Sequence, residues 1–122
     1  WLTCPMYNKK IGSLESHGLI KELDKEIINN PDLKKQWELR QKSYEQEREK
    51  LETKDSGPKA SGGVGGAAES IKCLHSHTAD ELSTGKNVIG KIVIESIGGF
   101  NCEEVCIDPE TMQKNKDWKI VW

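Results

Sequence analysis

Leu19-Ile20-Lys21-Glu22-Leu23-Asp24-Lys25-Glu26-Ile27-Ile28-Asn29-Asn30-Pro31-Asp32-Leu33 contains a helix, its stop and the start of the next. Leu19, Ile20, Leu23, Ile27 and Ile28 recur at the spacing that puts apolar side chains on one face of an α-helix. Asn30 can then cap a second helix, Pro31 suits a first helical position, and Asp32 complements the positive end of the dipole. The pattern predicts a long helix from about Asp32 to Thr53, with Leu33, Trp37, Tyr44 and Leu51 as a thin apolar stripe and Leu39 to one side. Acidic and basic residues balance along it, and pairs such as Glu38 with Lys42 support an exposed helix by about 0.2–0.5 kcal/mol each. Two helices joined this tightly form a hairpin. The Leu33–Leu51 stripe could also serve as a seam for a coiled-coil protein partner.

On the N-terminal side, Cys4-Pro5 reads as an extended entry to a short helix that stops at His17-Gly18. The chain begins with Trp1, directly in an apolar segment, which reads as a processed or truncated start. On the C-terminal side, Asp55-Ser56-Gly57-Pro58 breaks the long helix and a glycine-rich stretch follows. A fourth helix is predicted from about Ala68 to Ser83, ending at Thr84-Gly85. Ile71, Leu74, His75, Thr78 and Leu82 would share its core face, with Cys73, His77, Asp80 and Glu81 nearer another. Val88 to Ile97 is readable as strand or helix. Beyond Gly98-Gly99, Cys102–Ile107 and Lys119–Trp122 are short enough for strand fragments or loose ends.

The whole reads as one mainly α domain of 122 residues. Residues 1–53 form the helical hairpin region, 54–67 the Gly-rich loop, and 68–122 the Cys/His helix with a small irregular or β-containing tail. With 34% hydrophobic and 31% charged residues the core must be small. A net charge of −2 argues against a nucleic-acid-binding surface. No apolar run approaches a membrane span and no signal-peptide pattern is present, so the four cysteines are expected as reduced thiols in a cytoplasm.

Ser61-Gly62-Gly63-Val64-Gly65-Gly66, running towards Lys72-Cys73-Leu74-His75-Ser76-His77, carries the chemistry. Cys73 and His77 are four residues apart, so on a helix they could converge on one ion, with Cys4 or His75 completing a tetrahedron. Zinc suits such sulfur and nitrogen ligands, and Cys102-x3-Cys106 also falls within zinc spacing. Alternatively, Cys73 in a first helical turn beside Lys72 would form a thiolate, with His75 or His77 as base, giving a small thiol-dependent or metal-dependent enzyme. A third reading is a small anionic ligand at the loop, received by the backbone of Gly62, Gly63, Gly65 and Gly66 with Lys72. The bland alternatives are a flexible linker for the glycines and buried small hydrophobes for the cysteines.

Trp1-Leu2-Thr3-Cys4-Pro5, Ser13-Leu14-Glu15-Ser16-His17-Gly18, Ile71-Lys72-Cys73-Leu74-His75-Ser76-His77-Thr78-Ala79 and Asn87-Val88-Ile89-Gly90 follow one another in order. Together they resemble the bacterial domain of unknown function numbered five hundred and one, sometimes labelled septum-formation-initiator-related. The resemblance covers about residues 1–107. It implies no reaction, because the label reflects gene neighbourhood, and it weights Cys73 and His75 as the positions that match the family's pattern. The expected function is a cytoplasmic binding or interaction module centred on the junction from Gly62 to His77.

Overall fold

The computed structural model describes residues 1–53 and 57–120. Lys54, Asp55 and Ser56 of the expected helix break, and Val121 and Trp122 of the terminal fragment, lie outside the described residues. The protein is mainly α. Helices α1 (Pro5–Ser16), α2 (Leu19–Asn29) and α3 (Pro31–Glu49) are followed by a 3₁₀ turn (Val64–Gly66), then α4 (Leu74–Thr84) and α5 (Val88–Ile97).

The boundaries of the first three helices follow local chemistry. Pro5 opens α1 after an extended Cys4. Gly18, at φ +92°, separates α1 from α2 in the left-handed region that side chains resist. Asn30 alone separates α2 from α3, and its Oδ1 accepts from the amides of Asp32 at 3.1 Å and Leu33 at 3.2 Å. The long helix ends at Glu49, four residues short of the expected Thr53, where the polar sequence offers no burial to hold another turn.

The core is small, as the composition requires. Ile11, Leu23, Ile27, Leu33, Trp37, Ile71, Leu74, Ile89 and Val93 form one buried cluster between the α2–α3 hairpin and the α4–α5 pair. Each such side chain contributes about 1.5–3 kcal/mol on burial. Leu33 and Trp37, half of the proposed docking stripe, are therefore turned into the protein's own core, whereas Leu51 and Leu39 are exposed.

One open alternative is resolved and one expectation is corrected. The ambiguous segment Val88–Ile97 is a helix: Asn87 Oδ1 caps the Gly90 amide at 3.0 Å, and Ile89 and Val93 are buried on one face despite their β-branched chemistry. Gly90 marks the crossing of α5 over α4, because a Cβ there would overlap the His77 carbonyl oxygen. The fourth helix starts at Leu74 rather than Ala68. The amide of Ile71 donates to Asp24 Oδ1 at 2.9 Å and that of Leu74 to Glu15 Oε1 at 2.8 Å, so the segment before the helix is held extended across α1 and α2. Cys73 accordingly occupies the N-cap position, with φ −152° and ψ 115°, and makes no side-chain cap bond.

The tail packs back through Phe100, whose ring meets Tyr7 edge-on at 4.9 Å. Its β content among the described residues is one antiparallel bridge between Ile107 and Lys114.

Candidate functional site

The later start of α4 changes which histidine faces inwards. Counting Ile71 into the helix rotates the predicted buried face towards His75. With Leu74 as the first helical residue, Leu74, His77 and Thr78 form the buried stripe, and His77 is fully enclosed while His75 is half-buried.

His77 belongs to a buried polar network rather than to the surface of the site. Its Nδ1 lies 3.2 Å from Asn87 Oδ1 and 3.1 Å from Asn87 Nδ2. Asn87 Nδ2 also donates to Asp80 Oδ2 at 2.8 Å. Asp80 in turn receives Arg40 in a two-pronged pair, Nε to Oδ2 and Nη2 to Oδ1, both at 2.7 Å. Burial pushes the His77 imidazole below its ordinary range, against the hydrogen bond from Asn87 and the nearby Asp80 charge. Burial also pushes the Asp80 carboxyl up, but the hydrogen bonds from Arg40 and Asn87 outweigh it and hold Asp80 below the usual carboxylate range.

The glycine-rich stretch is a packed turn in this fold rather than a linker. The Gln41 amide, from α3, accepts from the Val64 N–H at 2.9 Å and donates to the Ala67 carbonyl at 3.1 Å. Gly63 lies so close beneath it that a Cβ would stand 2.6 Å from the amide. Arg48 Nη1 donates to the Gly62 carbonyl at 2.8 Å, and Lys72 Nζ to that of Gly66 at 3.3 Å. The N–H groups of Gly63, Gly66 and Ala67 bond inside the turn. Of the Gly62, Gly63, Gly65 and Gly66 set, Gly62 and Gly65 keep N–H groups that have no partner among the described residues.

Where the turn meets α4, a cleft of about 670 Å³ opens between Trp1 and Leu2, Tyr44 and Arg48, the glycines, and Cys73, His75 and Ser76. Cys73 and His75 line it, and Glu15 meets them from α1 behind the lining, with one ligand atom from each of the three lying within 4.8 Å of the others. Glu15 Oε1 accepts from the Leu74 amide and stands 3.3 Å from His75 Nδ1. His75 Nε2 lies 3.2 Å from the carbonyl oxygen of Asn8, which can only accept. That contact makes Nε2 the protonated nitrogen and turns the other lone pair towards the Glu15 carboxylate. Two acceptors facing each other call for a cation between them, either a proton or a metal ion. A histidine that donates its far N–H to a backbone carbonyl is also the ordinary second-shell arrangement of a metal ligand.

Cys73 and His75 thus come together, and Cys4 and His77 stand outside the cluster: Cys4 occupies the N-cap position of α1 with no side-chain cap bond, and His77 is in the core. No hydrogen bond joins the Cys73 thiol to either ring nitrogen among the described residues, since those nitrogens face Asn8 and Glu15. Cys102 and Cys106 are in the tail, and no disulfide links any of the four cysteines. Sequence reasoning missed Glu15, Asn8 and Gln41. Glu15 sits 59 residues before its partner Leu74, and no local pattern announces such a contact.

The family model for a protein of unknown function, DUF501, matches residues 1–95, and the chain belongs to that family. The match takes in α1 to α4, the glycine-rich turn and the Glu15, Cys73 and His75 cluster, and ends inside α5. No curated protein and no solved structure matches the chain. No helix among the described residues is long and apolar enough to cross a membrane.

Proposed function

For this DUF501 member we propose a metal-binding module, in which Glu15, Cys73 and His75 hold one divalent ion of zinc type at the floor of the cleft. The observation that carries the reading is the position of His75, with its Nε2 against the Asn8 carbonyl and its Nδ1 lone pair turned to the Glu15 carboxylate. Sulfur, imidazole nitrogen and carboxylate oxygen form a donor set that suits zinc. Zinc–sulfur and zinc–nitrogen bonds of about 2.3 and 2.0 Å put tetrahedral ligands about 3.5 Å apart. Atoms now within 4.8 Å need only side-chain rotation to reach that spacing, and Cys73 and His75 are half-buried rather than locked. Three protein ligands leave a fourth position open to the cleft, as in sites that bind or activate a ligand rather than purely structural ones. Four free cysteines favour a reducing compartment such as the cytoplasm.

The test is zinc stoichiometry of the full chain purified without chelator or a histidine tag, together with cobalt(II) substitution. One zinc per chain and a thiolate-to-cobalt absorption band are expected, both lost in Cys73→Ser and His75→Ala and weakened in Glu15→Gln. Binding that survives Cys73→Ser, or the absence of any bound ion, overturns the reading.

A further inference from the structure

We infer that the cleft receives a small organic anion, with its carboxylate or phosphate oxygen at the open position of the ion and its charge paired with Arg48. This rests on the metal reading above and adds the class of ligand.

The volume of about 670 Å³ is far larger than an inorganic ion needs, and the aromatic and aliphatic side chains of Trp1, Leu2 and Tyr44 line part of it. The recognised molecule therefore has an organic body as well as a charged head. Arg48 supplies the charge complement. Its Nη1 is held by the Gly62 carbonyl at 2.8 Å, while Nη2 makes only a long contact of 3.4 Å with Ala60 and a 3.8 Å approach to Glu45. The Nε–H is buried and has no acceptor among the described residues. A guanidinium with a buried unsatisfied donor, on the wall of a cleft, calls for an acceptor that the described residues do not provide.

The acidic residue on the same wall does not oppose this. Asp80 already accepts from Arg40 at two atoms and from Asn87. The turn amides of Gly63, Val64, Gly66 and Ala67 are bonded within the fold, so of the turn residues lining the cleft Gly65 is the one whose N–H has no partner among the described residues. The exposed Lys72 is tied to the Gly66 carbonyl. Recognition thus falls to Arg48, Gly65 and the ion rather than to a ring of glycine amides.

The probes are benzoate and phenyl phosphate, titrated calorimetrically into the zinc-loaded full chain and into the chain after zinc removal. At least one is expected to bind the zinc-loaded protein and to bind at least tenfold more weakly without the ion and in Arg48→Met; which one binds identifies the head group. Because Arg48→Met also frees the Gly62 carbonyl, amide chemical shifts of the wild-type chain provide an independent readout, with changes expected at Gly65 and Cys73–Ser76. A chain that holds one zinc yet binds neither probe, or shifts elsewhere, overturns this inference and leaves the metal reading standing. A chain that holds no zinc overturns both.

Discussion

Removing the carboxylate of Asp80 tests the energetic centre of the fold. In Asp80→Ala the Arg40 guanidinium, whose side chain is only 4% exposed, loses both of its 2.7 Å bonds. It keeps Ser43 Oγ at 3.0 Å and the half-exposed Glu47 at 3.3 Å, neither of which replaces a buried two-pronged partner. Breaking a buried pair by deleting one side costs about 3–5 kcal/mol, because a desolvated charge is left without compensation. Asn87 Nδ2 also loses its acceptor at 2.8 Å, which adds about 1 kcal/mol. A total of about 4–6 kcal/mol is a large fraction of the roughly 5–15 kcal/mol that holds a domain folded. At roughly 4 °C per kcal/mol for a chain of this size, the melting temperature should fall by about 16–24 °C. Urea unfolding at pH 7 of the wild type, Asp80→Ala, Arg40→Met and the double variant measures this directly. The double variant should recover much of the loss, since replacing both members removes the stranded charge. A loss below about 1 kcal/mol in Asp80→Ala, or strict additivity in the double variant, would refute the claim that a desolvated pair anchors α3 to α4.

Gly90→Ala should destabilise by about 1–3 kcal/mol in chemical unfolding, because the new methyl meets the backbone of α4; in an open helix the same change stabilises by about 1 kcal/mol, so the sign alone decides. Gly63→Ala displaces the Gln41 amide and leaves the Val64 N–H without its acceptor, so a loss of about 1–3 kcal/mol and faster exchange of that amide are expected. His77 titrates below its ordinary 6.5 in the folded chain, so the unfolded chain takes up the proton first as acid is added. Its contribution is therefore complete above pH 6.5 and declines as pH falls below that value, and unfolding free energies at pH 7.5 and 5.5 should differ less in His77→Leu than in the wild type. Asp80 adds a second decline, beginning only near its ordinary 3.8.

The helical hairpin was legible because Pro5, Gly18, Asn30 and Pro31 punctuate it with chemistry confined to a turn. The buried faces of α2 and α3 were likewise visible as Leu23, Ile27, Leu33 and Trp37. The start of α4 was not, since Asp24 and Glu15, far earlier in the chain, hold the preceding segment out of the helix. That one displacement exchanged the places of His75 and His77. The β-branched run Ile92-Val93-Ile94 satisfied two periodicities equally, and only burial against α4 selects the helix. For the site, Cys73 and His75 were visible as residue types near a glycine-rich stretch. Their third partner belongs to α1 and has no signature in the intervening chain.

The grip of Asp24 and Glu15 on the amides of Ile71 and Leu74 has a consequence for hydrogen exchange. Neither amide belongs to a helical ladder, so neither is protected by the stability of α4 itself. Their exchange should instead follow the release of Asp24 on α2 and Glu15 on α1, and similar protection of the two amides would mark one shared opening. The pair is thus a gauge of how firmly α1 and α2 hold the segment that leads into α4.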